Sequence, residues 1–357
     1  MKYPLFVLGT RPEAIKLIPV IKKLRAANIQ CKILNTHQHF EILDSTLCRH
    51  GIIADYRLDV LNQYRNLGNA KADMLRAIGN VVSPENLSTV IVQGDTLSAL
   101  VGAEYGFLNE IPVCHVEAGM RTYNAKNPYP EEVFRRMISA MSAVHFCPSE
   151  KERRNLLDEH IDNANVFVTG NTFIDYRLSN AKPNSKPSNK ILITLHRREN
   201  IPYLKNILNQ IAQMAYDMPQ YCWKFPIHPN PKLIKPITDT LSDIPNVTLC
   251  APMNEDEFYD ELLKSELVIT DSGGVHEECL INAKKVLIIR ECCERVIDFD
   301  FVETVHPTSD NIAERFYALL NRSIDVTQNV DCYGIGNAAD KIVQILTDRG
   351  LICKTSL

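Results

Sequence analysis

Three carboxylates in the first half of the chain stand where strands are predicted to end or a helix to begin. Asp95 follows TVIVQG, Glu117 ends IPVCHVE, and Glu131 opens a helical pattern in YPEEVFRRM. Because parallel strands end at one edge of a sheet, we expect these side chains to share a rim. Crowded carboxylates raise one another's pKa, which suits acid–base chemistry on a weakly acidic carbon. Taken singly, Asp95 could instead cap a helix, and Glu131 with Arg135 could be an ordinary surface pair.

A strand-to-helix turn at the start of the chain has the residue types that hold an anion. In FVLGTRPEAIK, Gly9 and Thr10 end a predicted strand, and Pro12 suits the first position of a helix. The backbone N–H groups there, with Arg11 and Lys16, could hold a phosphate or a carboxylate. A plain turn with a solvated arginine and lysine explains the same residues.

The segment ITDSGGVHEE combines features that suit two different parts of one ligand. Ser272, Gly273 and Gly274 would let a phosphate approach the backbone at a helix N-terminus. Glu278 lies one turn further on, where a carboxylate can accept hydrogen bonds from a ribose diol. His196, which ends a strand in TLHRREN, is a further candidate for the same ligand. The pattern therefore predicts a nucleoside diphosphate site.

The elements that must position these residues alternate regularly. Apolar, β-branched runs from LFVLG to KVLIIR predict strands, and amphipathic segments lie between them. The helical patterns cover Pro12–Ala27, Asn69–Val82, Thr96–Leu108, Glu131–Met141, Leu204–Met214 and Glu255–Lys264. This rhythm predicts an α/β protein with parallel sheets covered by helices on both faces.

One polar segment divides the chain. SNAKPNSKPSNK, residues 179–190, is rich in Lys, Pro, Ser and Asn and is predicted to be a linker. It separates a Rossmann-like domain of residues 1–178 from a second one of residues 191–335. A last helical pattern, Ala338–Asp348 within residues 336–357, is expected to complete the first domain. Ligands are expected beyond the strand ends, in a central cleft that the two sheets face.

Composition excludes several classes of protein. A length of 357 residues with 45% hydrophobic residues suggests two buried cores, and the net charge of −4 argues against nucleic-acid binding. The 11 cysteines form no CxxC motif, so we expect reduced thiols rather than disulfides or a metal site. The first residues resemble no signal peptide, and no run is long enough to span a membrane. We expect a cytoplasmic protein that binds neither membranes nor nucleic acid.

Seven motifs in order resemble those of the bacterial UDP-N-acetylglucosamine 2-epimerases, and the non-hydrolysing branch fits best. They are GTRPEAIK, GDT, HVEAGMRT, PYPEE, HRREN, HPNP and DSGGVHEE, and the resemblance covers about residues 3–295. It implies a GT-B-like fold, a homodimer, and conversion of UDP-GlcNAc to UDP-ManNAc without NAD or metal. The implied route is anti elimination of UDP to 2-acetamidoglucal, for the supply of surface polysaccharide precursors.

The resemblance also implies roles for particular residues. The catalytic set would be Asp95, Glu117, Glu131 and His196. The residues that would bind the UDP-sugar are Arg11, Lys16, Arg135, Phe258, Ser272, Gly273, Gly274, Glu278 and Arg295.

The chain departs from the family pattern at several positions, which leaves the exact reaction open. Phe134 replaces an Asn, and CERVI at residues 293–297 replaces TERPE. These changes leave room for a modified sugar, such as a UDP-2,3-diacetamido uronic acid, whose carboxylate Arg136 or His276 could bind. Three further functions stay open: release of free ManNAc by hydrolysis, glycosyl transfer on a GT-B fold, and nucleotide-sugar binding without turnover.

Overall fold

The computed structural model describes residues 2–36, 40–58, 66–179, 188–291, 293, 299–324 and 333–353, with backbone alone at 40–42. The chain divides into two compact units. The first consists of Met1–Ala181 and Asp331–Leu357, and the second of Lys182–Val330. Among the described residues, no helix is both long enough and apolar enough to cross a bilayer.

The first unit is a parallel sheet covered by helices. Its strands are β1 Tyr3–Leu8, β2 Lys32–Asn35, β3 Tyr56–Arg57, β4 Leu87–Gln93, β5 Val113–Val116, β6 Val144–Cys147 and β7 Val166–Val168. Its helices are α1 Arg11–Ala26, α2 Phe40–Arg49, α3 Leu67–Val81, α4 Leu97–Leu108, α5 Glu131–Met141, α6 Glu150–Asp158, α7 Thr172–Ser179 and, last in the chain, α13 Ala338–Asp348. The strand order is β3-β2-β1-β4-β5-β6-β7.

The second unit repeats this plan. Its strands are β8 Lys190–Thr194, β9 Cys222–Pro226, β10 Val247–Cys250, β11 Leu267–Thr270, β12 Lys285–Ile289 and β13 Val302–Val305. Its helices are α8 Leu204–Asp217, α9 Pro231–Leu241, α10 Glu255–Lys264, α11 Gly273–Ile281 and α12 Ile312–Asn321. The strand order is β10-β9-β8-β11-β12-β13, again all parallel.

Both sheets have the Rossmann strand order, which fixes where a ligand can bind. In each, the first strand of the unit lies beside the fourth: β1 pairs with β4, and β8 pairs with β11. The connections from these two neighbouring strands leave in opposite directions, which opens a crevice at their carboxyl ends. The turns after β1, β4, β8 and β11 therefore carry the residues that can meet a ligand.

Burial explains why the strands form continuous apolar runs. All five residues of β12 are buried, as are five of the six in β1, which is the pattern of parallel strands covered on both faces. In the second unit, Trp223 of β9 packs against Phe316 of α12 with ring centroids 5.2 Å apart. Each unit thus has an apolar core of its own.

The predicted α/β class, with two Rossmann-type domains of parallel strands, agrees with the observed sheets. The short edge strands β3 and β13 were not predicted, because strands of two and four residues give little periodic signal. Ser179 is the last residue of α7 and Lys190 the first of β8, so these elements bound the predicted linker. Residues 180–187 lie outside the described ranges.

Candidate functional site

Asp95 lies in the turn between β4 and α4, and the structure gives the helix cap to its neighbour. The Oγ1 of Thr96 accepts a hydrogen bond of 3.0 Å from the N–H of Ala99. The carboxylate of Asp95 instead accepts from Arg135, whose Nε and Nη2 both lie 2.7 Å from its Oδ2. Its side chain is 26% exposed, so a ligand can reach it. The capping interpretation of Asp95 is therefore not supported.

Arg135 is fixed by a second acid, Glu132 in the first turn of α5. Its Nη1 lies 3.2 Å from the Oε2 of Glu132, which is almost fully buried. The same carboxylate accepts from the N–H groups of Thr122 and Tyr123, at 2.9 and 3.0 Å. Glu132 thus holds both the arginine and the segment before α5, which makes it a positioning residue that the motif analysis did not assign.

Glu117 follows β5 in a backbone conformation that non-glycine residues avoid, with φ at 65°. Its Oε2 accepts a hydrogen bond from the Nζ of Lys16 and another of 2.7 Å from the Nε2 of Gln93. The side chains of Lys16 and Glu117 are each 10% exposed. Strain of this kind persists where the surroundings over-determine the conformation, and it is concentrated at functional sites.

Glu131 is half-buried and forms the first residue of α5. Since Arg135 lies one turn further along this helix, α5 carries both Glu131 and the cation that binds Asp95. The prediction that Asp95, Glu117 and Glu131 share a rim stays a prediction.

The turn after β1 differs from the prediction, because its N–H groups bind a carboxylate of the protein itself. The N–H groups of Gly9 and Thr10 donate to Oε2 of Glu13, at 2.9 and 2.7 Å. The Oγ1 of Thr96 donates to the other oxygen at 2.6 Å. Burial raises the pKa of Glu13. Of the anion-binding groups predicted here, half-buried Arg11 has no ion-pair partner among the described residues.

In the second unit, the loop after β8 presents His196. Its ring stacks on that of His228 with centroids 5.7 Å apart, and its side chain is 37% exposed. Burial of the ring lowers the pKa of His196, against the opposing charge of Asp271. The backbone N–H of His196 donates to both carboxylate oxygens of Asp271 at 3.1 Å.

The start of α11 has the open geometry of an anion site. Ser272 is the N-cap residue and its side chain makes no capping hydrogen bond within the described structure. A Cβ added at Gly274 would meet no described atom within 4 Å, so packing of the protein does not require a glycine there. The prediction that Gly273 and Gly274 let a phosphate approach the backbone stays a prediction. Glu278 is buried further along the helix.

Two predicted residues remain, Phe258 and Arg295. Phe258 is half-buried on α10, whose start is fixed by reciprocal hydrogen bonds between Asn254 and Glu257. Arg295 lies outside the described residues, so its predicted role stays a prediction. Within the part of the chain that the structure describes, no three His, Cys, Asp or Glu side chains are grouped to hold a metal ion.

Comparison with known proteins identifies the family. The sequence model of the family described as UDP-N-acetylglucosamine 2-epimerase matches residues 22–347. The chain belongs to this family. The UDP-N-acetylglucosamine 2-epimerase of Neisseria meningitidis serogroup A is 38% identical over 365 residues, covering 96% of this chain and 98% of the relative.

Solved structures of the family agree over the full length. The epimerase of Neisseria meningitidis bound to UDP-GlcNAc is 36% identical with a TM-score of 0.86, covering 98% of this chain and 100% of that one. The MnaA–UDP structure from S. aureus is 30% identical with a TM-score of 0.89, covering 100% and 99%. The predicted family, the GT-B-like fold class and the enzyme class, an epimerase, are confirmed.

Three buried acids beside the predicted residues were not selected by the sequence analysis. Glu13, Glu132 and Asp271 are buried acids that accept hydrogen bonds from the turns carrying the predicted residues. All three stand inside the quoted motifs, within two positions of residues that were selected. For Glu13 a sequence signal was available, because Thr10 and Glu13 have the T-x-x-E spacing typical of a helix N-terminus.

Proposed function

We propose that this chain interconverts UDP-GlcNAc and UDP-ManNAc without hydrolysis. A base takes the proton from C2, and the electron pair of the C2–H bond forms the C1=C2 bond of 2-acetamidoglucal. At the same time the C1–O bond breaks, and its electron pair leaves with UDP. UDP then adds back to C1, and a proton adds to the opposite face of C2. The observation that carries this proposal is the pair of acids at strand ends, Asp95 and Glu117, each bound to a basic side chain.

The first unit supplies the groups that move protons in this proposal. Asp95, Glu117 and Glu131 exchange protons with the sugar. Arg135 and Lys16 orient two of these carboxylates, so that their remaining lone pairs point away from the protein contacts. Two oriented acids are what inversion requires, because the proton leaves from one face of C2 and returns to the other.

The second unit stabilises the leaving group. Departure of UDP places negative charge on the diphosphate, and the N–H groups at the start of α11 are aligned to stabilise that charge as it develops. Ser272, Gly273 and Gly274 form this helix start. Glu278 accepts hydrogen bonds from the ribose, and His196 contacts the diphosphate or the sugar. UDP-GlcNAc and UDP bind to the related proteins of Neisseria meningitidis and S. aureus, which supports this assignment.

The contacts of Arg136 favour the unmodified sugar over a uronic acid. Its Nε lies 3.8 Å from carboxylate oxygens of both Glu132 and Glu159, and its guanidinium lies over the ring of Tyr123. Two acids of the protein thus already lie beside the positive charge of Arg136 that a uronate carboxylate would need. His276, the other candidate, is buried on α11.

One experiment tests the proposal. The protein is incubated with UDP-GlcNAc in D₂O and followed by NMR. We expect deuterium at C2 together with UDP-ManNAc. Free ManNAc would instead show hydrolysis, and substrate that gains neither deuterium nor a new product would contradict the proposal.

A further inference from the structure

Asp271 is the most completely buried charged group beside the candidate site. It follows β11 directly and has no exposed surface. Its carboxylate accepts from the backbone N–H of Arg197 at 2.9 Å and from the Nδ2 of Asn200 at 3.1 Å, in addition to the N–H of His196. These donors satisfy the buried carboxylate within the protein.

These contacts fix the loop of residues 196–200 over the ends of three strands. The backbone N–H of Asp271 donates to the carbonyl of Thr194 at 3.3 Å, which continues the pairing of β8 with β11. Asn200 also donates to the carbonyl of Ile289 at the end of β12, at 3.0 Å. Because Ser272 begins α11 immediately after Asp271, one residue connects the histidine loop with the helix start.

The ring of His196 also faces this carboxylate. Its Nδ1 lies 3.6 Å from the Oδ1 of Asp271, which is longer than a hydrogen bond but close enough for a strong charge interaction. A negative charge next to Nδ1 favours the tautomer with the proton on that nitrogen, and Nε2 is then left to meet the ligand. Contacts of this kind commonly shorten when substrate binds.

We propose that Asp271 is a positioning residue for the reaction. It holds the loop of His196 against the start of α11 and sets the imidazole with Nδ1–H toward itself, which leaves Nε2 to accept a hydrogen bond from a hydroxyl group of the ligand. This inference rests on the proposed function. The other charged or titratable groups around the ring are Glu199, whose charge acts with that of Asp271, and Arg197 and His228, which oppose it.

The tautomer is tested on the unmodified protein. Two-dimensional ¹H–¹⁵N NMR of ¹⁵N-histidine-labelled protein, with and without UDP, distinguishes protonated from unprotonated ring nitrogens, and His196→Gln assigns the signal. We expect Nδ1–H for neutral His196 in the UDP complex. A dominant Nε2–H form would overturn the proposal, whatever the activity of the protein.

Asp271→Asn tests the consequence for catalysis, with exposed Asp239→Asn on α9 as the matched control. We expect kcat to fall at least roughly tenfold and KM and the Kd of UDP to stay within about threefold, because orientation of the imidazole is lost. The pKa of His196 should also move downward in this variant. A change in kcat below about twofold, or equal losses of kcat and UDP affinity, would contradict a positioning role.

Two further outcomes are distinguishable. If Asp271→Asn fails to fold, as judged by circular dichroism, the tautomer in the unmodified protein decides. If the unmodified protein exchanges no deuterium at C2, the proposed function fails, and the ring measurement still tests the placement of His196.

Discussion

Asp95 and Glu117 each end a strand and each bind one basic side chain that reaches them from a helix, Arg135 and Lys16. They differ in access: the side chain of Asp95 is 26% exposed and that of Glu117 10%. Glu117 is also held by Gln93, whereas Asp95 remains open to a ligand on one side. At the scale of the residue, Asp95 is therefore the better candidate for direct proton exchange with the sugar.

Substitution of Asp95 by Asn should abolish exchange at C2, because an amide accepts no proton from carbon at neutral pH. The affinity for UDP, measured by calorimetry, should stay within a few-fold, since the nucleotide is assigned to the second unit. Asp239→Asn on the surface of α9 is the control and should behave as the unmodified protein does. If Asp95→Asn lost UDP binding instead, Asp95 would be structural.

At the scale of the element, the segment that follows β5 depends on one glycine. Gly119 has φ at 90°, and a Cβ there would lie 2.2 Å from the carbonyl oxygen of Glu152 on α6. This close approach brings the end of β5, and Glu117 with it, against α6. Gly79 in α3 is a useful contrast, because a Cβ there would meet no described atom within 4 Å.

Alanine should therefore have opposite effects at these two glycines. Gly119→Ala should lower the free energy of unfolding by about 2 kcal/mol or more, through the clash and the positive φ. Gly79→Ala should raise it by about 0.5–1 kcal/mol, since glycine is unfavourable within a helix. Urea titration measures both, and equal effects would show that the contact with Glu152 relaxes without cost.

The neighbouring strands β5 and β6 carry a pair of buried histidines that should make stability depend on pH. His115 and His145 are partners across the two strands. Burial lowers the pKa of His115 to about 3 and that of His145 to about 4. In the unfolded chain both titrate near ~6.5, so below that pH the unfolded state binds more protons. Their contribution to the free energy of unfolding is present above pH ~6.5 and is lost as the pH falls toward 4.

His145→Gln should remove part of this dependence. Between pH 7 and pH 5 the free energy of unfolding of the variant should fall by ~2 kcal/mol less than that of the unmodified protein. Comparison of the two proteins is needed because burial raises the pKa of Glu13 and Asp175, which acts in the opposite sense. Identical pH profiles in urea titrations would contradict the assignment.

The same elements show what sequence can and cannot predict. The ends of β4 and β5 were predictable because Asp95 and Glu117 follow short runs rich in β-branched residues. The long-range hydrogen bonds were not predictable, since Glu13 accepts from Thr96 across 83 positions and Asp271 accepts from His196 across 75. Periodicity reports which face of an element is buried but not which distant turn its polar side chains reach. The use of Gly9 and Thr10 by Glu13 is local, and the T-x-x-E spacing of Thr10 and Glu13 was an unused signal for it.

At the scale of the whole molecule, the first unit is assembled from two separate stretches of chain. The helix α13 returns to it, and Asp175 of α7 accepts from the N–H groups of Ala338 and Ala339, at 3.2 and 2.9 Å. The buried face of α13 includes Ile342 and Leu346. The predicted homodimer stays a prediction that the mass in solution would test.

Removal of residues 331–357 should destabilise the first unit selectively. Asp175 would keep a buried carboxylate without its helix donors, and the apolar surface covered by α13 would be exposed. Hydrogen exchange followed by mass spectrometry should show faster exchange in β1 and α7, with β8 and β11 little changed. A uniform increase in both units, or none, would contradict this assignment.

The return of α13 also orders events during synthesis. Residues 182–330 are translated before α13, whose first N–H groups donate to Asp175 of α7. The first unit is therefore begun before the second unit but completed after it. Until α13 has been translated, the groove that it fills presents apolar side chains on the nascent chain, and we expect a chaperone that binds there to protect the first unit.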